Sequence, residues 1–321
     1  MPSPLVAHTL SGEEMRILHI RNIANYGWQL AQAQRRLGHD AVVWAQGASL
    51  YGFPCDDTIA SSDPVRWNLS MLRRWSLIRD FDVVHIHGGI WPTQVAFRLM
   101  KNFKAVHYHG TETRSGKGMS WQSIADVKFI STPDLQRYHP DAIWAPQPID
   151  LPELGEHFEH DVPMFAHFVR GNQKGTPQVI EMFSRAFGPL QHLYLEFPQG
   201  GRKDFYIGEK AELWVFEGIP HDGVEQVIKA ADVVFDQISP YGIYGYVSVE
   251  AMAHERPVLA TLNRALYPSD CPVIYPRAVK LMELARDMDT RLRYGEMGRA
   301  YVERVHDSSI VAQRVLDAYR R

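Results

Sequence analysis

Two short stretches carry the side chains that first suggest chemistry: VVHIHGG, from Val83 to Gly89, and AVHYHGTETR, from Ala105 to Arg114. Each ends an apolar run with two histidines one residue apart and then breaks it with glycine. Residues i and i+2 of a strand share a face, so His85 with His87, or His107 with His109, could chelate one ion through neutral imidazoles. Such chemistry would belong to a metal-dependent hydrolase. Against it, no H-E-x-x-H accompanies the pairs and Glu112 is the only close acid, so a third ligand is missing from the pattern. The plainer reading involves no metal. It keeps His85 and His107 as hydrogen-bonded strand residues and leaves His109 alone to reach a ligand.

Two further stretches suit an anion. In HFVRGNQKGT, His167 to Thr176, Arg170 and Lys174 flank a turn that holds Gly171 and Asn172, with Gly175 next. Arginine offers a fork and lysine a point charge, a combination that suits a diphosphate at a strand end. A solvated basic turn is the plain alternative. In DQISPYGIYGYVSVEAMAHERPVLA, Asp236 ends a strand, a loop with two Tyr-Gly pairs follows, and a helix begins near Tyr246. The free amides and positive dipole end of that helix can hold phosphate, and Gly245 lets a ligand approach the backbone. Glu250, one turn in, could accept hydrogen bonds from sugar or ribose hydroxyls. The residues around it, Val249, Ala251 and Met252, are apolar, so this carboxylate needs a partner.

The elements that must position these groups alternate along the chain. RILHI (Arg16 to Ile20) predicts a buried strand, YGWQLAQAQRRLG a helix stopped by Gly38, and AVVWA the next strand. DVVHIH, a helix through TQVAFRLMKN, AVHYH, VKFIST and AIWAP continue the rhythm. PQPIDLPELGEHFEHDVP then has the composition of a linker. The alternation restarts with MFAHFV, the helix TPQVIEMFSRAF, LYLEF, LWVFEG, the helix GVEQVIKAA, DVVFDQ, the helix YVSVEAMA and RPVLAT. Short β-runs between helices predict parallel sheets covered on both faces, here two Rossmann-like doubly wound domains facing across a cleft that holds the site. The expected division is a loose extension over 1–14, a domain over 15–152, a second over 153–303, and a final helix over 304–321 packing back on the first. The first turn, HIRNIANYGW, lacks G-x-G-x-x-G, which disfavours a dehydrogenase.

With these elements in place, GYVSVEAMAHERPVLA resembles the signature of the family 4 glycosyltransferases of the GT-B fold: a Glu, seven residues, a second Glu, Ala-Met-Ala, a Gly and Pro-Val, with HER here in place of the Gly. GEMGRAYVERVHD is similar to the family's closing segment, and DVVHIHG and HYHG to its N-terminal domain, so the resemblance spans roughly Arg16 to Tyr319. It implies transfer of a sugar from a nucleotide-diphosphate sugar, without cofactor or metal and with retention. The acceptor would be a sugar, a glycan or a lipid-linked molecule. Glu250 would hold the donor's ribose. Gly245, Tyr246 and Val247 would present amides to its diphosphate, and Arg170 and Lys174 would neutralise it. His109 would lie near the sugar and phosphate, and Gly27 with Asn25 would let substrates approach the first turn. The first glutamate of the signature falls on Gly242, with Asp236, Tyr241 and Tyr244 as the residues available to replace it. That departure keeps two further readings open: a nucleotide- or sugar-binding protein without catalysis, and an epimerase on the same scaffold.

Composition sets the outer bounds. The 321 residues carry 34 Lys and Arg against 37 Asp and Glu, a formal net charge of −3 that gives no field toward nucleic acid. Two cysteines, Cys55 and Cys271, form no disulfide or zinc framework, so a reducing cytoplasm is expected. No apolar run approaches a membrane span, and MPSPLVAHTLSGEE lacks the pattern of a signal peptide. RWNLSMLRRWSLIRD, Arg66 to Asp80, mixes Arg with Trp and Leu at helical spacing. It is expected to be a packed helix, with peripheral contact to an anionic membrane as the alternative.

Overall fold

The computed structural model describes residues 13–47, 52–59, 63–88, 100–114, 124–155, 160–169, 174–197 and 201–321. Arg170, Gly171, Asn172, Gly89, most of the expected extension and most of the helix expected through TQVAFRLMKN lie outside them. The chain forms two compact units, 1–148 with 308–321, and 149–307. The division falls at 148/149 and 307/308, a few residues from the expected boundaries.

In the first unit, the described elements run β1 (Arg16–Ile20), α1 (Tyr26–Arg36), β2 (Asp40–Gln46), β3 (Asp57–Ile59), α2 (Pro64–Arg73), α3 (Trp75–Ile78), β4 (Val83–His87), β5 (Phe103–Tyr108), α4 (Thr111–Arg114), β6 (Val127–Ile130) and β7 (Ile143–Trp144). The strands form one sheet in the order β3-β2-β1-β4-β5-β6-β7, parallel throughout. Alternate residues of each strand feed two cores. Leu18, Val84, Ile86 and Val106 pack with Trp67, Met71 and Ile78 of α2 and α3. Ile17, Val83 and Ala105 pack with Leu30 and Ala31 of α1 on the other face. Burying such a Leu or Ile side chain contributes about 1.5–3 kcal/mol, so the parity of each strand is strongly held. That parity puts His19, His85, His87 and His107 on the α1 face, with His19 opposite His85 and His87 opposite His107 in the register.

The second unit continues with β8 (Met164–Val169), α5 (Thr176–Phe187), β9 (Gln191–Glu196), β10 (Arg202–Ile207), β11 (Glu212–Glu217), α6 (His221–Ala230), β12 (Val233–Gln237), α7 (Tyr246–Ala253), β13 (Val258–Ala260), α8 (Ala278–Arg286) and α9 (Met288–Val305). Its sheet has the order β13-β12-β8-β11-β10-β9. The expectation of a wholly parallel sheet fails at one edge, because β10 runs antiparallel to both β11 and β9. The reason is the four residues from Gly208 to Ala211, closed by Gly208 N–H donating to the Ala211 carbonyl at 3.0 Å. So short a link can join only antiparallel neighbours, since a parallel crossover needs a dozen residues or more.

α7, which carries the expected phosphate end, is held from behind by α9. At Gly298 a Cβ would lie 3.0 Å from Met252 Cγ, a distance that lets the two helices pack backbone to side chain. Asp287 caps α9 by accepting from Thr290 N–H at 3.1 Å. The chain then returns to the first unit as α10 (Ser308–Tyr319), whose Val311, Val315, Leu316 and Tyr319 complete the core under α1.

Candidate functional site

Asp236, at the end of β12, organises the second unit's site. Its Oδ1 pairs with the Lys174 ammonium. Its Oδ2 accepts from Gly245 N–H at 2.5 Å and from Ser248 Oγ at 2.7 Å. Burial pushes this carboxyl up, but the Lys174 charge, the Ser248 hydroxyl and the Gly245 amide together hold it below its ordinary value. Asp236 is therefore an ion lodged at the start of α7. A Cβ on Gly245 would stand 2.9 Å from Lys174 Nζ and 3.0 Å from Asp236 Oδ2, so a larger residue would push this ion pair aside. The backbone of Lys174 is fixed as well, because its carbonyl accepts from Ile238 N–H at 3.0 Å.

α7 has no side-chain cap. Its first donors, the amides of Tyr246 and Val247, have no hydrogen-bond partner among the described residues, as expected of a helix end left available to an anion. One turn in, Glu250 is 6 % exposed and shares a 2.5 Å hydrogen bond between Oε1 and His221 Nε2, from the first residue of α6. Burial raises the Glu250 carboxyl and His221 partly offsets the rise. The same hydrogen bond raises His221. His221 lies parallel to the Tyr246 ring at 6.1 Å.

The loop between β12 and α7 explains the departure at Gly242. This residue has φ +63°, and a Cβ would lie 2.8 Å from Asn263 Cβ and 2.9 Å from Asn263 N. A glutamate at this position would need another backbone path. Of the residues that could replace it, Asp236 is committed to Lys174, Gly245 and Ser248. Tyr244 is turned into the core, its hydroxyl 3.0 Å from Tyr301 Oη and 2.8 Å from His306 Nε2. Tyr241 is exposed.

In the first unit the four expected histidines are joined by a fifth, His19 of β1. His19, His85, His87 and His107 are fully buried; His109 is half-buried. His19 Nδ1 lies 3.0 Å from His87 Nε2, and His87 Nδ1 lies 3.2 Å from His109 Nε2. His19 Nε2 meets Gln34 Oε1 at 2.7 Å, and His85 Nδ1 meets the Tyr319 hydroxyl at 2.5 Å. Burial lowers His19 to about 4 and His109 to about 3, so both are neutral near pH 7. The third ligand missing from the sequence pattern is thus present in space. The sets His19, His85, His87 and His87, His107, His109 each place one nitrogen per residue within 4.8 Å of the others. His85 is hydrogen-bonded through Nδ1 to the Tyr319 hydroxyl, and the Ala145 backbone interacts with His107, offsetting a little of the lowering by burial.

Gly27 and Asn25 belong to the same region. A Cβ on Gly27 would lie 2.9 Å from the Arg21 carbonyl and 3.4 Å from His87 Nε2, so glycine admits α1 to this face. Asn25 has φ +62°, and with Arg21 at +74° and Ala24 at +50° it makes a turn in which three residues other than glycine are left-handed. Such strain persists only where surrounding structure imposes it. Glu112 accepts from His109 N–H at 2.5 Å, which fixes the strand end.

Sequence reasoning missed Arg21, Gln34, Ser248, His221 and Tyr319. A histidine inside the apolar run RILHI was a visible signal for His19. The Glu250–His221 pair spans 29 positions and left none. Arg21 donates to the His87 carbonyl at 3.3 Å, and burial lowers its pKa while the Glu112 charge partly offsets the fall.

No family model and no curated protein matches the chain. Solved structures match it along nearly its whole length. HepE of Anabaena, solved with UDP and glucose, is 12% identical over 95% of this chain and 99% of its own, with a TM-score of 0.63. A UDP-N-acetylglucosamine 2-epimerase is 12% identical over 95% of each chain, with a TM-score of 0.54. The calicheamicin glycosyltransferase CalG4 is 13% identical over 96% and 99%, with a TM-score of 0.50. The chain has the GT-B fold, two α/β units with Rossmann-like sheets.

Proposed function

We propose that the protein is a family 4-like glycosyltransferase that moves a sugar from a nucleotide-diphosphate sugar to a sugar, glycan or lipid-linked hydroxyl, without a metal and with retention. The observation that carries this reading is the start of α7. There two free amides and a buried carboxylate one turn in lie on one helix, and Asp236 pins a lysine from the turn before α5 beside its start. HepE, solved with UDP and glucose, and CalG4, a glycosyltransferase, share the fold and support the same reading.

Breaking a sugar–phosphate bond leaves negative charge on the departing diphosphate and positive character on the sugar. The α7 amides and the Lys174 ammonium are oriented before any donor arrives, so little reorganisation accompanies bond cleavage. Asp236 aims the ammonium but also offsets its charge. Net attraction for the diphosphate then rests on the helix end, worth about half a positive charge, and on Arg170. Glu250, aligned by His221, accepts from ribose hydroxyls in its carboxylate form. His109 is neutral, so its contribution to the sugar is a hydrogen bond rather than a charge.

The test is release of a nucleoside diphosphate from a panel of nucleotide sugars, with and without EDTA. Release unaffected by EDTA supports the reading, and release abolished by EDTA favours the histidine-based metal hydrolase. A second reading is favoured by Gly242, whose backbone admits no signature glutamate: a protein that binds the nucleotide sugar without transferring it. Tight binding with no release under any condition would select it.

A further inference from the structure

Three imidazoles of the first unit, His19, His87 and His109, form a hydrogen-bonded chain whose direction follows atom by atom from Gln34. The amide of Gln34 presents Oε1 to His19, and an amide oxygen only accepts, so His19 Nε2 carries the proton. Neutral His19 then has a bare Nδ1, which accepts from His87 Nε2–H at 3.0 Å. Neutral His87 in turn has a bare Nδ1, which accepts from His109 Nε2–H at 3.2 Å. His109 is left with a bare Nδ1, which has no protein hydrogen bond among the described residues. The rings are neutral because they are crowded as well as buried. His85 and His87 stack at 4.5 Å, and His107 and His109 at 4.7 Å, so a proton on one opposes a proton on its neighbours. Burial holds His87 well below its ordinary value and His109 at about 3.

We propose that Gln34, acting through His19 and His87, fixes the tautomer of His109 and leaves His109 Nδ1 as a lone-pair acceptor for a hydroxyl group. Gln34, His19 and His87 are positioning residues, and the ligand class is a hydroxyl donor, not a phosphate oxygen. Only the identity of that hydroxyl, one on the donor sugar, rests on the proposed function. Chelation of a metal by the same rings is less compatible with the geometry. The i, i+2 pairs are nearly parallel, at 14° and 15°, so their nitrogens point alongside one another instead of converging. His87 also uses both nitrogens in the relay, one toward His19 and one toward His109.

The experiment is long-range proton–nitrogen NMR on the full chain with labelled histidine, which reports the tautomer of each ring and requires no substrate. At pH 7, His19, His87 and His109 are expected to be protonated at Nε2 alone. Gln34→Met removes the acceptor at the head of the chain and is expected to give mixed tautomers at His109, two rings away. His85→Leu, a change on the same buried face but outside the relay, is expected to leave His109 as in the wild type. If Gln34→Met fails to fold, the wild-type spectrum still decides. Protonation of His109 at Nδ1, an unchanged His109 in folded Gln34→Met, or a stoichiometric transition metal in the purified chain would each overturn the proposal. Failure of every nucleotide sugar to bind would leave it standing.

Discussion

Asp236 occupies the place where an incoming anion would be welcomed, and Lys174 cannot be considered without it. Removing the lysine strands a carboxylate that is 1% exposed. Breaking such a pair from one side costs about 3–5 kcal/mol. Lys174→Ala is therefore expected to lower the melting temperature as well as to cut turnover by ~10²–10³, the scale of one lost transition-state donor. Adding Asp236→Asn should restore much of the melting temperature and none of the turnover. Turnover unchanged in Lys174→Ala would remove the lysine from the chemistry. The Glu250–His221 pair makes a second residue-scale prediction. Burial raises Glu250 and His221 pulls it back, so His221→Ala raises the carboxyl further. Because the carboxylate form accepts from ribose, donor affinity in His221→Ala is expected to fall off at a higher pH than in the wild type as the solution is acidified. Titration of affinity between pH 5 and 8 checks this, and an unshifted acid limb counts against Glu250 as a donor contact.

At the scale of elements, the loop before α7 decides how closely the family signature can be followed. Gly242→Glu places a side chain at φ +63° against Asn263, where the left-handed backbone alone costs about 1–2 kcal/mol. The variant is expected to melt lower and to gain no turnover. A gain would mean that the loop readily adopts another path. α2 and α3 show both faces that their composition suggested. Trp67, Met71 and Ile78 are buried, and Val65, Leu69, Leu72 and Leu77 are exposed among arginines. If this face meets anionic lipid, vesicle flotation should be strong at low salt and lost at high salt, whereas no flotation at either salt leaves the helices as packing elements only. The central parallel strands were legible because they are buried on both faces and read as unbroken apolar runs. β10 was not, since RKDFYI sets three charged residues before Phe, Tyr and Ile, which is neither an unbroken apolar run nor an alternation, and its antiparallel course depends on a four-residue link. The α7 site was legible as a helix start with a glycine and a carboxylate. What occupies its lysine and its first amide was not, because Asp236 reaches them across a loop.

At the scale of the whole molecule, sequence identities of 12 and 13% accompany agreement over almost the full chain. The fold is thus kept by burial pattern and topology more than by residue identity. Among the described residues no helix is long and apolar enough to cross a membrane. The first sheet's histidines show the limit of reading one strand at a time. Each pair was visible, but their junction with His19, Gln34 and Tyr319 depends on parallel register and on a last helix that returns from the far end of the chain. The central claim is that the start of α7 holds a nucleoside diphosphate. Thermal melting against a panel of nucleoside diphosphates tests it most directly, because a ligand that binds only the native state raises the midpoint. One nucleotide is expected to raise the midpoint of the wild type, and the rise is expected to disappear in Glu250→Gln. No shift with any nucleotide, or an equal shift in Glu250→Gln, would contradict the account.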